Sequence, residues 1–186
     1  MELILASISP RRKELLEKAG IKFTVIPSDF NEENVSDNPL LTAQSFAFAK
    51  AKNVYDKLGR PEDKIVLGVD TVVFLFGKIL GKPKSAEQAK EMLKNLSGHE
   101  HLVISGYCLL GKKVKIIGYD KTVVAFNNLT SAQIEEYVNS GLYQGKAGGY
   151  GIQDGYNLVK EYFGSQNNVI GLPTEKIFEH FKELNI

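Results

Sequence analysis

Leu3-Ile4-Leu5-Ala6-Ser7-Ile8-Ser9-Pro10-Arg11-Arg12-Lys13-Glu14-Leu15-Leu16 carries the chain from an apolar run into a segment with helical spacing. Ser9 suits a helix N-cap, and Pro10 suits the first helical position, where its missing N–H costs nothing. The turn that follows breaks a rule. A helix N-terminus already carries partial positive charge and favours acidic side chains. Here Arg11, Arg12 and Lys13 fill it, and Arg12 stands where a capping box would place Glu or Gln. Local stability does not account for three cations there. A strand that feeds a helix N-terminus, with hydroxyls and cations added, is a phosphate-binding arrangement. A solvated basic face is the plain alternative.

The chain around this segment is ordinary in bulk. Its 186 residues, 43% hydrophobic and 24% charged, suit a soluble protein with one domain spanning residues 1–186 and a sizeable core. The formal net charge of +1 gives no global field toward nucleic acid or a membrane surface, so any cation cluster has to act locally. The opening apolar run is too short for a signal peptide or a membrane span, and a cytoplasmic location is expected. The single cysteine, Cys108, sits in an apolar run and reads as a buried thiol. His99 and His101 stand two apart. Without a third nitrogen or sulfur ligand nearby, they read as a turn leading into a strand rather than as a metal site.

In chain order, residues 2–6 read as a strand and 10–19 as a helix stopped by Gly20. Residues 22–26 read as a second strand, followed by an acidic loop containing Asn31, Glu32 and Glu33. Residues 39–58 form a long helix with Leu40, Leu41, Ala43, Phe46, Ala47 and Ala51 on its apolar stripe. The run from Ile65 to Phe76 is rich in β-branched residues and reads as a buried strand. Asp70 lies in its centre, where a carboxylate is costly unless it is paired, bound to metal or satisfied by backbone donors at a strand break. Such carboxylates concentrate in active sites. A hairpin turn at 76–79, a cation-bearing loop Gly81-Lys82-Pro83-Lys84, and a helix capped by Ser85 come next. Strands at 101–110 and 113–126 and a helix at 131–139 follow. The glycine-rich segment 145–155 permits close backbone approach to a ligand. Short strands at Leu158-Val159 and Val169-Ile170 precede a last helix that starts near Pro173-Thr174.

These pieces, in this order, resemble the Maf family of nucleoside triphosphate pyrophosphatases. The resemblance rests on Ser7-Ile8-Ser9-Pro10-Arg11-Arg12, Glu32 in its acidic loop, Lys50-Ala51, Gly68-Val69-Asp70-Thr71, Gly81-Lys82-Pro83 and Leu96-Ser97-Gly98. It continues through Lys146-Ala147-Gly148-Gly149-Tyr150-Gly151-Ile152-Gln153 and Gly171-Leu172-Pro173, so it covers nearly the whole chain. Each motif alone is weak, and their combination is specific. The resemblance implies an α/β, inosine triphosphatase-like fold, with a long bent mixed sheet flanked by helices in two lobes and a central cleft. It implies hydrolysis of a nucleoside triphosphate to the monophosphate and pyrophosphate, with a divalent cation, Mg²⁺ or Mn²⁺. It makes Asp70 the proton acceptor, and it marks Arg12, Thr71 and Gln153 as the combination of the branch acting on dTTP and UTP. A sister branch acts on 7-methyl-GTP. Two positions depart from the family pattern: Asn31 stands where many relatives are acidic, and Gly149 where many have Ala.

The residue chemistry is consistent with that implication. Ser7, Ser9, Arg11 and Arg12 would cradle phosphates, with Lys50, Lys82 and Lys146 on facing segments. Glu32 and Asp70 would hold the metal, with Glu33 an alternative to Glu32. Thr71 and Gln153 could read a pyrimidine edge, since an amide offers both donor and acceptor. The rival readings are a 7-methyl-GTP pyrophosphatase and a non-catalytic nucleotide-binding regulator of cell division. A pure anion binder gains nothing from carboxylates facing its phosphates. A P-loop enzyme is disfavoured because the chain has no Gly-x-x-x-x-Gly-Lys-Ser/Thr run. Neither nucleic acid nor membrane is an expected partner, and a homodimer fits a cleft-shaped protein.

Overall fold

The structure is a computed structural model that describes residues 1–32 and 36–186, so Glu33 lies outside the described residues. Among the described residues, seven strands form one mixed sheet: β1 (Glu2–Leu5), β2 (Phe23–Val25), β3 (Lys64–Leu75), β4 (Lys78–Leu80), β5 (Glu100–Leu110), β6 (Lys115–Phe126) and β7 (Val159–Phe163). Their order is β2-β1-β3-β5-β6-β7, with β4 on the β3 edge. β1 pairs in parallel with β2 and β3, and the remaining pairings are antiparallel. Among the described residues, six α-helices flank the sheet: α1 (Pro10–Lys18), α2 (Pro39–Lys57), α3 (Ala86–Leu96), α4 (Ser131–Asn139), α5 (Gln166–Ile170) and α6 (Thr174–Leu184). This is the expected α/β architecture.

β3 organises the molecule because its two halves serve different lobes. Ile65, Leu67 and Val69 pack with Leu3, Leu5, Leu16, Ile177 and Phe181 beneath α1 and α6. Val73 and Leu75 pack with Leu93, Leu96, Phe126 and Tyr137 beneath α3 and α4. One edge of β3 is covered by β5 from Val66 to Phe74. The other edge is covered by β1 as far as Leu67 and by β4 only from Val73 onward. Between them, Gly68 to Val72 have no strand on that side among the described residues. Asp70 and Thr71 lie in this gap. The β3–β4 turn has positive φ at both Phe76 (48°) and Gly77 (77°), the conformation of a tight type I′ hairpin.

Helix α2 lies unusually close to the sheet. Ala43, Ala47 and Ala51, each fully buried, repeat every fourth residue and so share one face. Opposite them stand Gly68 on β3 and Gly106 on β5. A Cβ at Gly68 would overlap the Ala47 carbonyl and lie 2.7 Å from the Ala51 nitrogen, and one at Gly106 would overlap the Ala43 backbone. Leu41 was expected on this buried stripe but is 53% exposed. It sits one residue past Leu40, and so about 100° further round the helix.

The second expected strand of the C-terminal region is a helix. Val169-Ile170 closes α5, which Ser165 caps by accepting from the Asn168 N–H and which Gly171 ends in the left-handed region (φ 119°). Two apolar residues fit either period, so only the caps separate the readings. Ser9 stands at the α1 N-cap with extended backbone, yet its hydroxyl makes no capping bond. Cys108 is buried, and burial pushes its thiol up to about 12. His99 packs edge-on against Phe76, while the buried His101 pairs with the Tyr150 hydroxyl at 2.6 Å. Among the described residues, no helix is long and apolar enough to cross a membrane.

Candidate active site

The break in the β3 edge opens into a cleft of about 510 Å³ between the two lobes. The described candidate site residues all line it: Ser7, Ser9, Arg11, Arg12, Glu32, Lys50, Asp70, Thr71, Lys82, Lys146 and Gln153. Strand pleating separates Asp70 from Thr71. Val66 and Gly68, which share the Asp70 side of β3, meet α2, whereas Leu67 and Val69, which share the Thr71 side, meet the α1–α6 side.

On the α2 side, the close approach of the helix brings Lys50 onto Asp70. The Lys50 ammonium is 2.6 Å from Asp70 Oδ1 and 2.7 Å from Glu32 Oε1, so one cation joins two carboxylates. Lys50 and Asp70 are only 8% and 4% exposed. Lys82 reaches the same Glu32 from the β4–α3 loop, donating to both carboxylate oxygens at 3.0 and 3.1 Å. Burial by itself raises the Glu32 carboxyl. The charges of Lys50 and Lys82 and the hydrogen bonds they donate outweigh it and hold the group down at about 2.

On the other side, Arg12 ties three elements together. Its Nε donates to the Gly171 carbonyl at 2.8 Å, Nη1 to Ser7 Oγ at 3.1 Å and Nη2 to Thr71 Oγ1 at 3.2 Å. The Ser9 N–H also donates to Ser7 Oγ, which shapes the β1–α1 turn. Arg11 spans the cleft and donates to the Gly145 carbonyl at 3.2 Å. Burial lowers the guanidinium pKa of both arginines, so an incoming anion would replace hydration they lack.

The glycine-rich segment forms the far wall. Gly148 donates its N–H to the Gly81 carbonyl at 3.0 Å, and it sits at φ 69°, where a Cβ would be strained and would press on the Val73 side chain at 3.0–3.2 Å. Lys146 is buried and ion-paired with Asp154, whose Oδ2 also accepts the Tyr137 hydroxyl at 2.6 Å. Burial lowers the Lys146 ammonium, and Asp154 opposes that shift. Gln153 lines the cleft from an exposed position.

Asp154 and Phe30 were missed from the sequence. An acid eight residues after a lysine in a glycine-rich segment was the available pointer to the first. Phe30, which lines the cleft and packs edge-on against Phe46 at 5.4 Å, sits in a loop whose acidic residues masked it. Chemically, the cleft can neutralise a polyanion with five cations while presenting two carboxylates at one point. Beside this charged region is an apolar one that includes Val73, Val103, Val169 and Ile170.

The family description "Maf-like protein" matches residues 2–184. Three curated relatives, each named dTTP/UTP pyrophosphatase, are similar along their whole length. The Ruminiclostridium cellulolyticum protein is 42% identical, over 98% of this chain and 96% of its own. The Aquifex aeolicus protein is 40% identical, over 100% and 97%. The Thermococcus kodakarensis protein is 43% identical, over 98% and 96%. A match of that extent, on a chain whose motif residues converge on one cleft, places this protein in the Maf family.

Proposed function

We propose that this protein hydrolyses dTTP and UTP to the monophosphate and pyrophosphate. The observation that carries the reading is the Glu32–Lys50–Asp70 cluster at the break in β3, set among four further cleft cations. A site that only binds phosphate has no use for two carboxylates facing the anion. The names of the relatives supply the substrate class.

Cleaving the α–β phosphoanhydride asks for charge neutralisation and in-line placement more than for covalent chemistry. Arg11, the hydroxyls of Ser7 and Ser9 and the first turn of α1 would hold phosphate oxygens from one lobe, and Lys82 and Lys146 from the other. Water adds at one phosphorus of the bridge, the bridging P–O bond breaks with its oxygen leaving on the other phosphorus, and the monophosphate and pyrophosphate separate. Asp70 Oδ1 is taken by Lys50, which leaves Oδ2 to accept the proton of that water. Thr71 and Gln153 would face the base.

The donor set fits a small divalent cation. Glu32 and Asp70 already converge on one cation, the Lys50 ammonium, and hard carboxylate oxygens suit Mg²⁺ or Mn²⁺. Among the described residues no third His, Cys, Asp or Glu joins them, so phosphate oxygens and waters would complete the shell. A bound metal would supply charge neutralisation and a lowered pKa for water.

The test is pyrophosphate release from dTTP, UTP and 7-methyl-GTP, with and without Mn²⁺. Turnover of dTTP and UTP above 7-methyl-GTP is expected. A preference for 7-methyl-GTP would move the protein to the sister branch, and binding without turnover would make it a nucleotide sensor.

A further inference from the structure

The hydrogen bonds behind Thr71 have a direction. Ser105 stands opposite Thr71 in the β3–β5 register and is fully buried. Its hydroxyl donates to the main-chain carbonyl of Asn168 at 3.0 Å. A carbonyl only accepts, so the one proton of Ser105 is committed there. The Thr71 and Ser105 hydroxyls are 2.8 Å apart. With the Ser105 proton spent, Thr71 must be the donor in that contact. Thr71 then accepts from Arg12 Nη2 at 3.2 Å. A hydroxyl has one proton and two lone pairs. The Thr71 proton and one lone pair are occupied, and what remains for the cleft is a lone pair.

The Asn168 carbonyl that anchors this chain cannot drift. The Asn168 side chain is buried and donates both amide protons, to the Val103 carbonyl at 3.1 Å and to Thr122 Oγ1 at 3.0 Å. That fixes α5 against β5 and β6. The same register pairs Val73 with Val103, two residues along and on the same face as Thr71 and Ser105. Val73, Val103, Val169 and Ile170 therefore give the Thr71 side of the cleft an apolar lining suited to a flat base.

We propose that Ser105 is a positioning residue that holds Thr71 as an obligate acceptor, and that this selects uracil and thymine over cytosine. The proposal rests on the reading that Thr71 faces the base of a pyrimidine triphosphate. Uracil and thymine carry N3–H, a donor that meets the Thr71 lone pair. Cytosine carries a bare N3 acceptor, which would meet a lone pair with a lone pair. A site that leaves a polar group unpaired discriminates by more than a lost contact would suggest.

The test is the ratio of kcat/KM for dTTP to that for dCTP. In Ser105→Ala, the Thr71 proton is released and can turn toward the cleft. The ratio is expected to fall by about five- to tenfold, the worth of roughly one neutral hydrogen bond, with dCTP gaining relative to dTTP. Ser105→Thr, which keeps the hydroxyl, is expected to restore the ratio. If Ser105→Ala does not fold, Thr71→Val and Thr71→Ser carry the test. The valine should lose the preference and the serine should keep it. A purely structural role for Ser105 would lower both substrates in parallel and leave the ratio unchanged, and that result overturns the proposal. If the wild-type protein turns over neither dTTP nor UTP, the failure lies in the pyrophosphatase reading instead.

Discussion

Lys50 serves two acids from one nitrogen, and that sharing sets what each can do. With Asp70 Oδ1 engaged, the carboxylate is oriented, and in the proposed mechanism its second oxygen is the base. Asp70→Asn keeps the shape and removes the base. Turnover is expected to fall roughly 10²-fold or more, the scale of general-base loss, while a non-hydrolysable dTTP analogue still binds by calorimetry. Near-normal turnover would remove Asp70 from the role. Glu32 leaves a different trace. Its carboxyl is held near 2 in the folded protein, below its ordinary value of 4.5, because Lys50 and Lys82 outweigh the effect of burial. A depressed carboxylate stabilises the fold fully above its unfolded pKa, and that contribution is lost as pH falls toward the folded value. The wild-type protein should therefore lose Tm faster than Glu32→Gln between pH 6 and pH 3. The gap between their melting curves should narrow as acid is added. A gap that stays constant across that range would show that Glu32 is not held by the two lysines in solution.

At the scale of elements, the site depends on how near α2 stands to β3. Gly68 and Gly106 face the Ala43, Ala47 and Ala51 stripe, and a side chain at either would strike helix backbone. Backbone cannot swing aside as a side chain can, so the helix has to move. Gly68→Ala is expected to cost about 1–3 kcal/mol in urea unfolding, the range for overpacking. It should also lower kcat more than an equally destabilising change remote from the cleft, because Lys50 rides on α2. Stability lost without that extra loss of activity would separate the packing from the chemistry. The elements themselves were largely legible, for physical reasons. β3 shows itself by its β-branched run, and α4 by Thr130 and Gln133, which form a capping box. Helix α5 was not legible, because Val169-Ile170 is too short to carry a period and its caps, Ser165 and Gly171, are separated from any long apolar pattern. The cleft residues were legible as unusual chemistry, such as cations at a helix start or an acid within an apolar strand. Their partners were not. The pairings of Lys50 with Asp70, Arg12 with Thr71 and Lys146 with Asp154 depend on approaches that only the folded chain defines. Ser105 and Asn168 have no unusual chemistry at all, and their importance comes from where their protons go.

At the scale of the whole molecule, charge placement matters more than charge total. The chain carries a formal charge of only +1. The cleft gathers Arg11, Arg12, Lys50, Lys82 and Lys146 against Glu32, Asp70 and the Asp154 that pairs with Lys146, a local excess of two positive charges. Low-dielectric walls on either side focus that field, so a triphosphate is drawn in although the protein as a whole is nearly neutral. Two contributions to affinity should then separate by salt. In the proposed site the triphosphate would meet the cations and be screened, since the Debye length shrinks from about 10 Å at 0.1 M to about 3 Å at 1 M. In the proposed site the base would meet apolar walls and hydrogen bonds that salt barely touches. Raising ionic strength across that range is expected to raise the KM for dTTP about three- to tenfold, with kcat changing far less. Thymidine, which has the base without the phosphates, should inhibit with a constant that hardly moves over the same range. Arg11→Ala should flatten the salt dependence of the dTTP KM, because one cation of the lining is gone. If thymidine weakens in parallel with dTTP, salt is acting on the fold or the base site rather than on the phosphates, and the local field is not what draws the substrate in.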